Sequence, residues 1–337
     1  LHPRVRRQRQ MCIRDRKVHI SSAIASGYKY MLIVTSDEAK ARKMCDDASF
    51  FNKEAIYYPA KDAIFYSADV HGNQITGERL RCISRIINHS STGEGVLTVV
   101  TTMDGIADRL IPVERFKEAV ITLDYSSEIE PEKLAKKLVA MGFVRTGMVE
   151  DKGQFAIRGG IIDIFSYTDE APVRIELWDT EVDSIRMFDV ESQRSIERLQ
   201  SYSIFPATEY IFTEDELKNG LYNIKEECDR QLECFDYGKR KRTKEQIEAG
   251  NNLNKLVADV ERTGNYEKFT DTLVADTVGL AEYFPEENTL VVLDEPNRLK
   301  ECNELTLYEY NESMKNRLAA GYVLPLSLIH ISEPTRQ

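Results

Sequence analysis

Apolar and polar side chains alternate most clearly in residues 154–195, a stretch whose turns divide it into four short β segments. Successive side chains of a strand point to opposite faces of its sheet. The segment Val173–Trp178 therefore directs its three apolar side chains to one face. The opposite face receives Arg174, Glu176 and Trp178. The pattern predicts a mostly antiparallel sheet with one buried face and one charged face.

The preceding segment, Gln154–Arg158, alternates in the same way and places Arg158 away from the apolar side. Trp178 is the single tryptophan of the chain, and Trp and Arg dominate binding energies at protein interfaces. A protein-binding face formed by Arg158, Arg174 and Trp178 is one interpretation. The other is a tryptophan that is exposed singly and half-covered by a neighbour, which is common on protein surfaces. Periodicity alone leaves both open.

Residues 17–118 predict alternating helices and strands. Apolar runs indicate strands over 30–35, 55–58 and 96–101, and helices are predicted over 17–25, up to about 50, over 77–89 and over 104–110. Thr35 and Glu38 have the spacing of a capping box at the start of the second helix. Apolar strands interleaved with helices predict a parallel sheet that is covered on both faces.

Such sheets often bind nucleotides at the carboxyl ends of their strands, so a phosphate-binding loop is the first feature to seek. Residues 72–79 have the glycine spacing of that loop, but Glu78 and Arg79 stand where phosphate and Mg²⁺ binding require Lys and Ser or Thr. We interpret 72–79 as the N-terminus of a helix. A true phosphate-binding loop would lie before Lys17, in sequence that we expect to be missing or overwritten here.

Asp294 and Glu295 follow the apolar run 289–293 in the manner of a Walker B sequence, whose acid holds Mg²⁺. Without the lysine of a phosphate-binding loop, there is no bound nucleotide phosphate on which this acid pair could act. We interpret Asp294 and Glu295 as vestigial and structural.

Two further regions follow the first. Residues 119–206 predict a compact α+β unit, in which one helix over 131–141, ended by Gly142, covers the sheet of alternating strands. Residues 207–325 are helical and polar up to about 269 and then contain the strand 289–293.

Charge and composition exclude several classes of function. The chain carries −11, and residues 1–16 contribute six Arg and one Asp, which leaves −16 for the rest and disfavours sequence-independent DNA binding. The basic run 239–242 could contact phosphate, but we interpret it as a solvated helix face or turn. The scattered cysteines indicate a reduced, metal-free, cytosolic protein, and no apolar run is long enough to span a membrane.

The two ends follow no structural pattern. Residues 1–16 and 326–337 resemble translated sequencing-adapter read-through, so we predict that they are not native and that the chain is an internal fragment. A basic arm that binds nucleic acid and an ordinary terminal strand are the alternatives.

Several motifs together resemble the transcription-repair coupling factor family (Mfd), in its N-terminal module that is similar to the excinuclease subunit UvrB. They are RGGIIDIF at 158–165, PVRIE at 172–176, DTEVDSIR at 179–186, YPAKD at 58–62 and LDEP at 293–296. The resemblance implies a degenerate RecA-like (P-loop NTPase-like) α/β domain that is split by a small α+β insertion. Its halves would be 17–118 (1A) and 207–325 (1B), and the insertion would be 119–206 (domain 2).

The resemblance also implies a function. Domain 2 of the family recruits UvrA through two arginines and an aromatic residue, which correspond here to Arg158, Arg174 and Trp178. This segment would then be non-catalytic and without a cofactor, since ATP and Mg²⁺ serve motor domains that lie elsewhere in the family's proteins, as do the sites for RNA polymerase and DNA. The alternative is a UvrB-like damage-recognition subunit or a nucleotide-binding helicase half. UvrB carries a long aromatic-rich hairpin after its second strand, whereas Pro59–Ile75 is short and has two aromatic residues.

Overall fold

The chain is a mixed α/β protein that contains both a parallel and an antiparallel sheet. A computed structural model describes residues 17–52, 54–61, 69–236, 243–263, 269, 273 and 276–324. The two ends predicted to be non-native and the basic run 239–242 lie outside these residues. The chain divides into two compact units, of which the first comprises Leu1–Asp62, Ser67–Ile211 and Val278–Cys302, and the second comprises Ala63–Tyr66, Phe212–Thr277 and Asn303–Gln337.

The helices and strands are numbered here in chain order. The helices are α1 (17–25), α2 (Glu38–Ser49), α3 (Asp69–Thr92), α4 (Met103–Ala107), α5 (Val113–Ala119), α6 (Pro131–Ala140), α7 (Glu214–Asp236), α8 (Lys244–Thr263) and α9 (Pro296–Ala319). The strands are β1 (Tyr30–Thr35), β2 (Ala55–Tyr58), β3 (Leu97–Thr102), β4 (Arg109–Leu110), β5 (Ile121–Asp124), β6 (Val144–Arg145), β7 (Gln154–Arg158), β8 (Ile161–Phe165), β9 (Val173–Trp178), β10 (Glu181–Phe188), β11 (Ser195–Arg198), β12 (Ser201–Ile204), β13 (Val278–Gly279) and β14 (Thr289–Leu293). Two 3₁₀ turns cover Leu280–Tyr283 and Glu286–Asn288.

The parallel sheet has the strand order β14-β1-β3-β2. Every residue of β1 and β3 is buried, as expected for central strands of a sheet that is covered on both faces. Side chains of α1 and α2 form a core with the sheet, in which Ala25 and Met44 pack with Met31, Ile33 and Val100. The predicted parallel sheet is confirmed. Its edge strand β14 comes from a part of the chain more than 180 residues after β3.

The second sheet has six strands in the order β11-β10-β9-β8-β7-β6. Neighbouring strands are antiparallel except β6 and β7, which are parallel. Helix α6 packs on one face, where Leu134 and Leu138 share a core with Phe155, Ile164 and Ile175. The helix ends before Gly142, whose φ of +87° is the left-handed conformation predicted for a cap. The opposite face of this sheet carries the candidate site and, beside it, a small buried cluster of Val149, Ala156 and Phe165.

Three local predictions in the first unit need correction. Helix α2 is capped by Asp37, whose side chain accepts a hydrogen bond from Lys40 N (2.9 Å), and not by Thr35, which ends β1. The segment 104–110 is not one helix, because α4 ends at Ala107 and β4 begins at Arg109 to pair with β13. Residues 72–79 lie inside α3, which begins at Asp69. The pairing of β4 with a strand far along the chain has no local sequence signal.

The second unit is helical. In α7 and α8 the buried side chains include Ile224, Cys228 and Leu253. Gly321 follows α9 with φ +73°, and a Cβ there would lie 2.1 Å from the carbonyl oxygen of Ala249, so this close approach requires glycine. None of the described helices combines the length and the apolar character that crossing a membrane requires.

Candidate protein-binding face

Strand β9 divides its side chains between the two faces of the six-stranded sheet. Val173 and Ile175 are buried in the core beneath α6, and Leu177 packs against the same core. Arg174, Glu176 and Trp178 therefore point to the other face. Strand register extends this face across the neighbouring strands, because directly opposite residues of paired strands lie on the same side. The residues opposite β9 on this face are Ile161 and Asp163 of β8 and Glu181, Ser184 and Arg186 of β10.

Asp163 is the centre of this face. Its carboxylate is almost fully buried, with 2% of the side chain exposed, and it accepts hydrogen bonds from both predicted arginines. Arg174 donates through Nε to Oδ1 (2.6 Å) and through Nη2 to Oδ2 (2.8 Å). Arg158 donates through Nη2 to Oδ2 (2.6 Å). One carboxylate thus draws two guanidinium groups together, and the cluster keeps a net charge of about +1.

The two arginines differ in how firmly they are held. Arg174 is 12% exposed, its Nη2 also donates to Gln193 Oε1 (2.8 Å), and its guanidinium lies 4.3 Å from the centre of the Phe188 ring. The hydrogen bonds to Asp163 raise the pKa of the Arg174 guanidinium above its usual value. Arg158 is 43% exposed and, among the described residues, contacts Asp163 alone. Arg158 thus offers more free donors to a partner than Arg174.

A second ion pair lies beside the arginine cluster. Arg186 forms a salt bridge with Glu176, and Ser184 Oγ donates to the other carboxylate oxygen of Glu176 (2.7 Å). The charges of Arg186 and Glu176 cancel. Glu181, opposite Trp178, and Arg198, opposite Arg186, are also exposed on this face and their charges balance, so the face keeps a net charge of about +1 although the chain as a whole is acidic.

Trp178 ends β9 and is 79% exposed. The next residue, Asp179, has φ +58°, a left-handed conformation that Asp adopts more readily than most residues, and the chain then turns into β10 at Glu181. Trp178 lies two positions beyond Glu176 and four beyond Arg174, so it is on the same face and about 13 Å along the strand from Arg174. The face is therefore wide, with Trp178 at one end of β9, Arg174 toward the other, and Arg158 on β7 at the level of Ile161 and Glu176.

The structure places all three predicted residues on one face, as alternation indicates. It also differs from the sequence-based expectation, because Arg174 is mostly covered and both arginines are already bound to a carboxylate. Sequence reasoning missed Asp163. Its signal was a single acid within the apolar run IIDIF, at a position that alternation places on the same face as Ile161.

The second predicted site, Asp294 and Glu295, lies where β14 ends, next to β1. Asp294 is buried and its oxygens contact Lys17 Nζ (3.0 Å) and Lys40 Nζ (2.5 Å). Glu295 has φ +59° and contacts the same two ammonium groups at 3.7 and 3.3 Å. Burial raises the pKa of Asp294, but hydrogen bonds and charge from Lys40 and Lys17 outweigh it and lower the pKa below its usual value. Two internal ammonium groups therefore neutralise this acid pair.

Residues 72–79 also have a structural place. Arg79 is buried, and its guanidinium donates to Glu209, to Asp108 and to the carbonyl oxygen of Pro59. A buried arginine that is held by two carboxylates is unlike a phosphate ligand, which must face a cleft. In the described part of the chain, no group of His, Cys, Asp and Glu side chains has the arrangement of a metal site.

Comparison with known proteins gives the same result as the motifs. Residues 121–210 match the family model described as the UvrB interaction domain, and this range contains the whole candidate face. The chain is related to transcription-repair-coupling factors. It is 34% identical to the one from Bacillus subtilis (strain 168) over 320 residues, which are 92% of this chain and 26% of that protein. Identity to those of Staphylococcus aureus (strain Mu50) and Staphylococcus epidermidis (strain ATCC 35984) is 30% and 31% over 90% of this chain.

The resemblance that the sequence motifs indicate is thus confirmed. The chain spans about a quarter of the length of these relatives, since the matched segments cover 25 to 26% of them.

Proposed function

We propose that this chain is the UvrA-recruiting module of a transcription-repair-coupling factor and acts in nucleotide excision repair. The face formed by Arg158, Arg174 and Trp178 would be the UvrA-binding site. The observation that carries the proposal is the exposed Trp178 on the same face as two arginines, within the region that matches a UvrB interaction domain. An exposed tryptophan and a net positive charge on an acidic protein have little value for stability and fit a surface that binds another protein.

The domain layout proposed for this function is a RecA-like domain, 1A (17–118) and 1B (207–325), with domain 2 (119–206) inserted. Its support is the parallel sheet, in which β14 from the last region pairs with β1 from the first. The six-stranded sheet and α6 fall between them in the chain. In this layout strands from 1A and 1B together form the parallel sheet, and domain 2 is an insertion between them in the chain.

We further propose that the segment is non-catalytic and binds no nucleotide cofactor of its own, and that it functions in the cytoplasm. The support is the pairing of Asp294 with Lys17 and Lys40, because an acid that is already neutralised by two ammonium groups is a poor ligand for Mg²⁺. ATP hydrolysis, RNA polymerase binding and DNA translocation would then be functions of other parts of the longer protein. Titration of the chain with Mg-ATP in a calorimeter should give no binding heat. Saturable binding would favour the nucleotide-binding helicase alternative.

The UvrA proposal is tested by measuring the affinity of purified UvrA for the wild-type chain and for single alanine variants. Arg158→Ala is the cleanest variant, since Arg158 is partly exposed and makes one contact among the described residues. We expect it to weaken binding by about 2 kcal/mol, as removal of a central arginine anchor does.

Arg145→Ala is the matched control. Arg145 lies opposite Phe155 in the register of β6 and β7, so it is on the face that α6 covers, and it pairs with Glu132 of that helix. Arg145→Ala removes the same charge and a surface ion pair, and it leaves the candidate face unchanged. Equal UvrA affinity of Arg158→Ala, Trp178→Ala and the wild-type chain would show that the site lies elsewhere.

A further inference from the structure

The buried carboxylate of Asp163 has an unusual position for a charged group. Its neighbours in β8, Ile162 and Ile164, are fully buried in the core, and Ala156 lies opposite it on β7. Placing an acid within such a strand is costly unless the charge is compensated. Among the described residues the compensation comes from Arg158 and Arg174, which donate three hydrogen bonds of 2.6 to 2.8 Å. Asp163 and the two arginines therefore form one unit.

The geometry of this unit sets where the arginine donors point. A free arginine side chain samples many rotamers, and binding must then fix one of them at an entropic cost. Arg158 has a single contact among the described residues, so its orientation depends on Asp163. Arg174 has further support from Gln193 and Phe188, but two of its three hydrogen bonds also end on Asp163. The carboxylate thus prepares both guanidinium groups before a partner arrives.

We propose that Asp163 is a positioning residue of the UvrA-binding face: it contacts no partner atom itself and fixes Arg158 and Arg174 in the conformation that binds. This inference rests on the proposed function of the face. With 2% of its side chain exposed, Asp163 acts only through the arginines. The charge that remains on the cluster, about +1, selects a partner surface that presents carboxylate or carbonyl oxygens to the free guanidinium donors.

The test is a double-mutant cycle with purified UvrA. Asp163→Asn keeps the size of the side chain and removes the charge that holds the arginines. We expect it to weaken UvrA binding about tenfold in the wild-type chain. In a chain that already carries Arg158→Ala and Arg174→Ala, the same substitution should change the affinity less than about twofold, because nothing is left to position.

A merely structural role gives a different result. If Asp163 only stabilises the sheet, Asp163→Asn lowers the affinity by the same factor in both backgrounds, or leaves it unchanged in both, and either result overturns the proposal. Asp229→Asn, at an exposed position of α7, is the matched control for loss of one carboxylate and should bind as the wild type does.

Asp163→Glu is the second variant, for use if circular dichroism shows that Asp163→Asn does not fold. It keeps the negative charge and moves the carboxylate outward by one methylene group, so the arginines are still paired but displaced. We expect weaker UvrA binding that again disappears in the Arg158→Ala, Arg174→Ala background. Wild-type affinity would overturn the proposal.

If Arg158→Ala alone binds UvrA normally, the proposed site is wrong. If Arg158→Ala binds UvrA weakly and both Asp163 variants bind it normally, only the positioning role is wrong.

Discussion

Arg79 and Glu209 form a buried ion pair between positions 130 residues apart in the chain. Arg79 Nε donates to Oε1 of Glu209 (2.6 Å) and Nη2 donates to Oε2 (3.1 Å), and neither side chain is exposed. The guanidinium also lies 4.4 Å from the centre of the Tyr58 ring. The ion pair therefore links helix α3 to the segment that follows β12. Burial alone raises the pKa of Glu209, but Arg79 and Lys61 outweigh it, and the pKa is lowered.

Removing Arg79 should therefore be strongly destabilising. Arg79→Met leaves Glu209 buried with only Lys61 (3.2 Å) to balance its charge. Breaking a buried ion pair from one side typically costs about 3–5 kcal/mol of the free energy of unfolding, and we expect a loss in that range, measured by urea unfolding.

Arg42→Met is the control for loss of a surface arginine. Arg42 is half-exposed and pairs with Glu38 and Glu78, so its removal should cost less than about 1 kcal/mol. Equal urea midpoints for the two variants would contradict the structural role assigned to Arg79.

Helix α3 also packs closely against the Tyr167 ring, at the position of Gly77. A Cβ at Gly77 would lie 2.8 Å from the Tyr167 ring, and on its other edge the same ring lies 2.9 Å from the Cβ position of Gly153, which has φ +80°. The ring therefore has little room to move. Gly77→Ala should gain about 1 kcal/mol of helix propensity but lose about 1–3 kcal/mol to overpacking, so we expect a net destabilisation.

Thermal unfolding of Gly77→Ala with and without Tyr167→Leu checks this expectation. The smaller side chain should remove the clash, so that Gly77→Ala becomes stabilising in the Tyr167→Leu background. Gly147→Ala is the control, since a Cβ there meets no atom within 4 Å. A stabilising effect of Gly77→Ala in the wild-type chain would contradict the packing of Tyr167.

Three strands of the parallel sheet, the central β1 and the edge strands β2 and β14, could be predicted to the residue. Tyr30–Thr35, Ala55–Tyr58 and Thr289–Leu293 are short apolar runs with polar residues or turns on both sides, which is typical of strands in such a sheet, although only Tyr30–Thr35 is buried throughout. The direction of Arg174 and Trp178 also follows from sequence, since alternation has only two outcomes and the apolar residues decide which one occurs.

The partners of charged side chains could not be predicted in the same way. The sequence identifies Arg79 only as a residue that is incompatible with a phosphate-binding loop, because the carboxylates that bind it come from distant segments. The contact of Lys17 and Lys40 with Asp294 depends on β14 pairing with β1, a relation that no local pattern contains. For the same reason, the sequence placed Arg158 and Arg174 on a face and missed the carboxylate that holds them.

The lowered pKa of Asp294 predicts a pH-dependent contribution to stability. A carboxyl group whose pKa is lower in the folded chain than in the unfolded chain stabilises the fold above its unfolded pKa of about 3.9, and this contribution is lost as the pH falls through the folded value. Asp294→Asn should therefore cost about 1.5–3 kcal/mol at pH 7, the range for hydrogen bonds to charged groups.

Melting temperatures of the wild type and Asp294→Asn measured from pH 7 down to pH 3 test the sign. The two curves should lie apart at neutral pH and converge as Asp294 becomes protonated at the acid end. A difference between the variants that stays constant with pH would show that the ammonium groups of Lys17 and Lys40 do not stabilise the carboxylate.

Trp178 allows partner binding to be observed at the site itself, because it is the only tryptophan of the chain. Labelling with 5-fluorotryptophan should give one ¹⁹F resonance of a solvent-exposed ring, and addition of unlabelled UvrA should shift or broaden it as the ring is buried.

Trp178→Ala should leave the free energy of unfolding within about 0.5 kcal/mol of the wild type, since the ring is exposed, yet weaken UvrA binding by about 2–4 kcal/mol. Trp178→Phe, which keeps an aromatic ring, should retain most of the affinity. An unchanged resonance at saturating UvrA would place Trp178 outside the interface, and the arginine cluster would then have to bind UvrA without it.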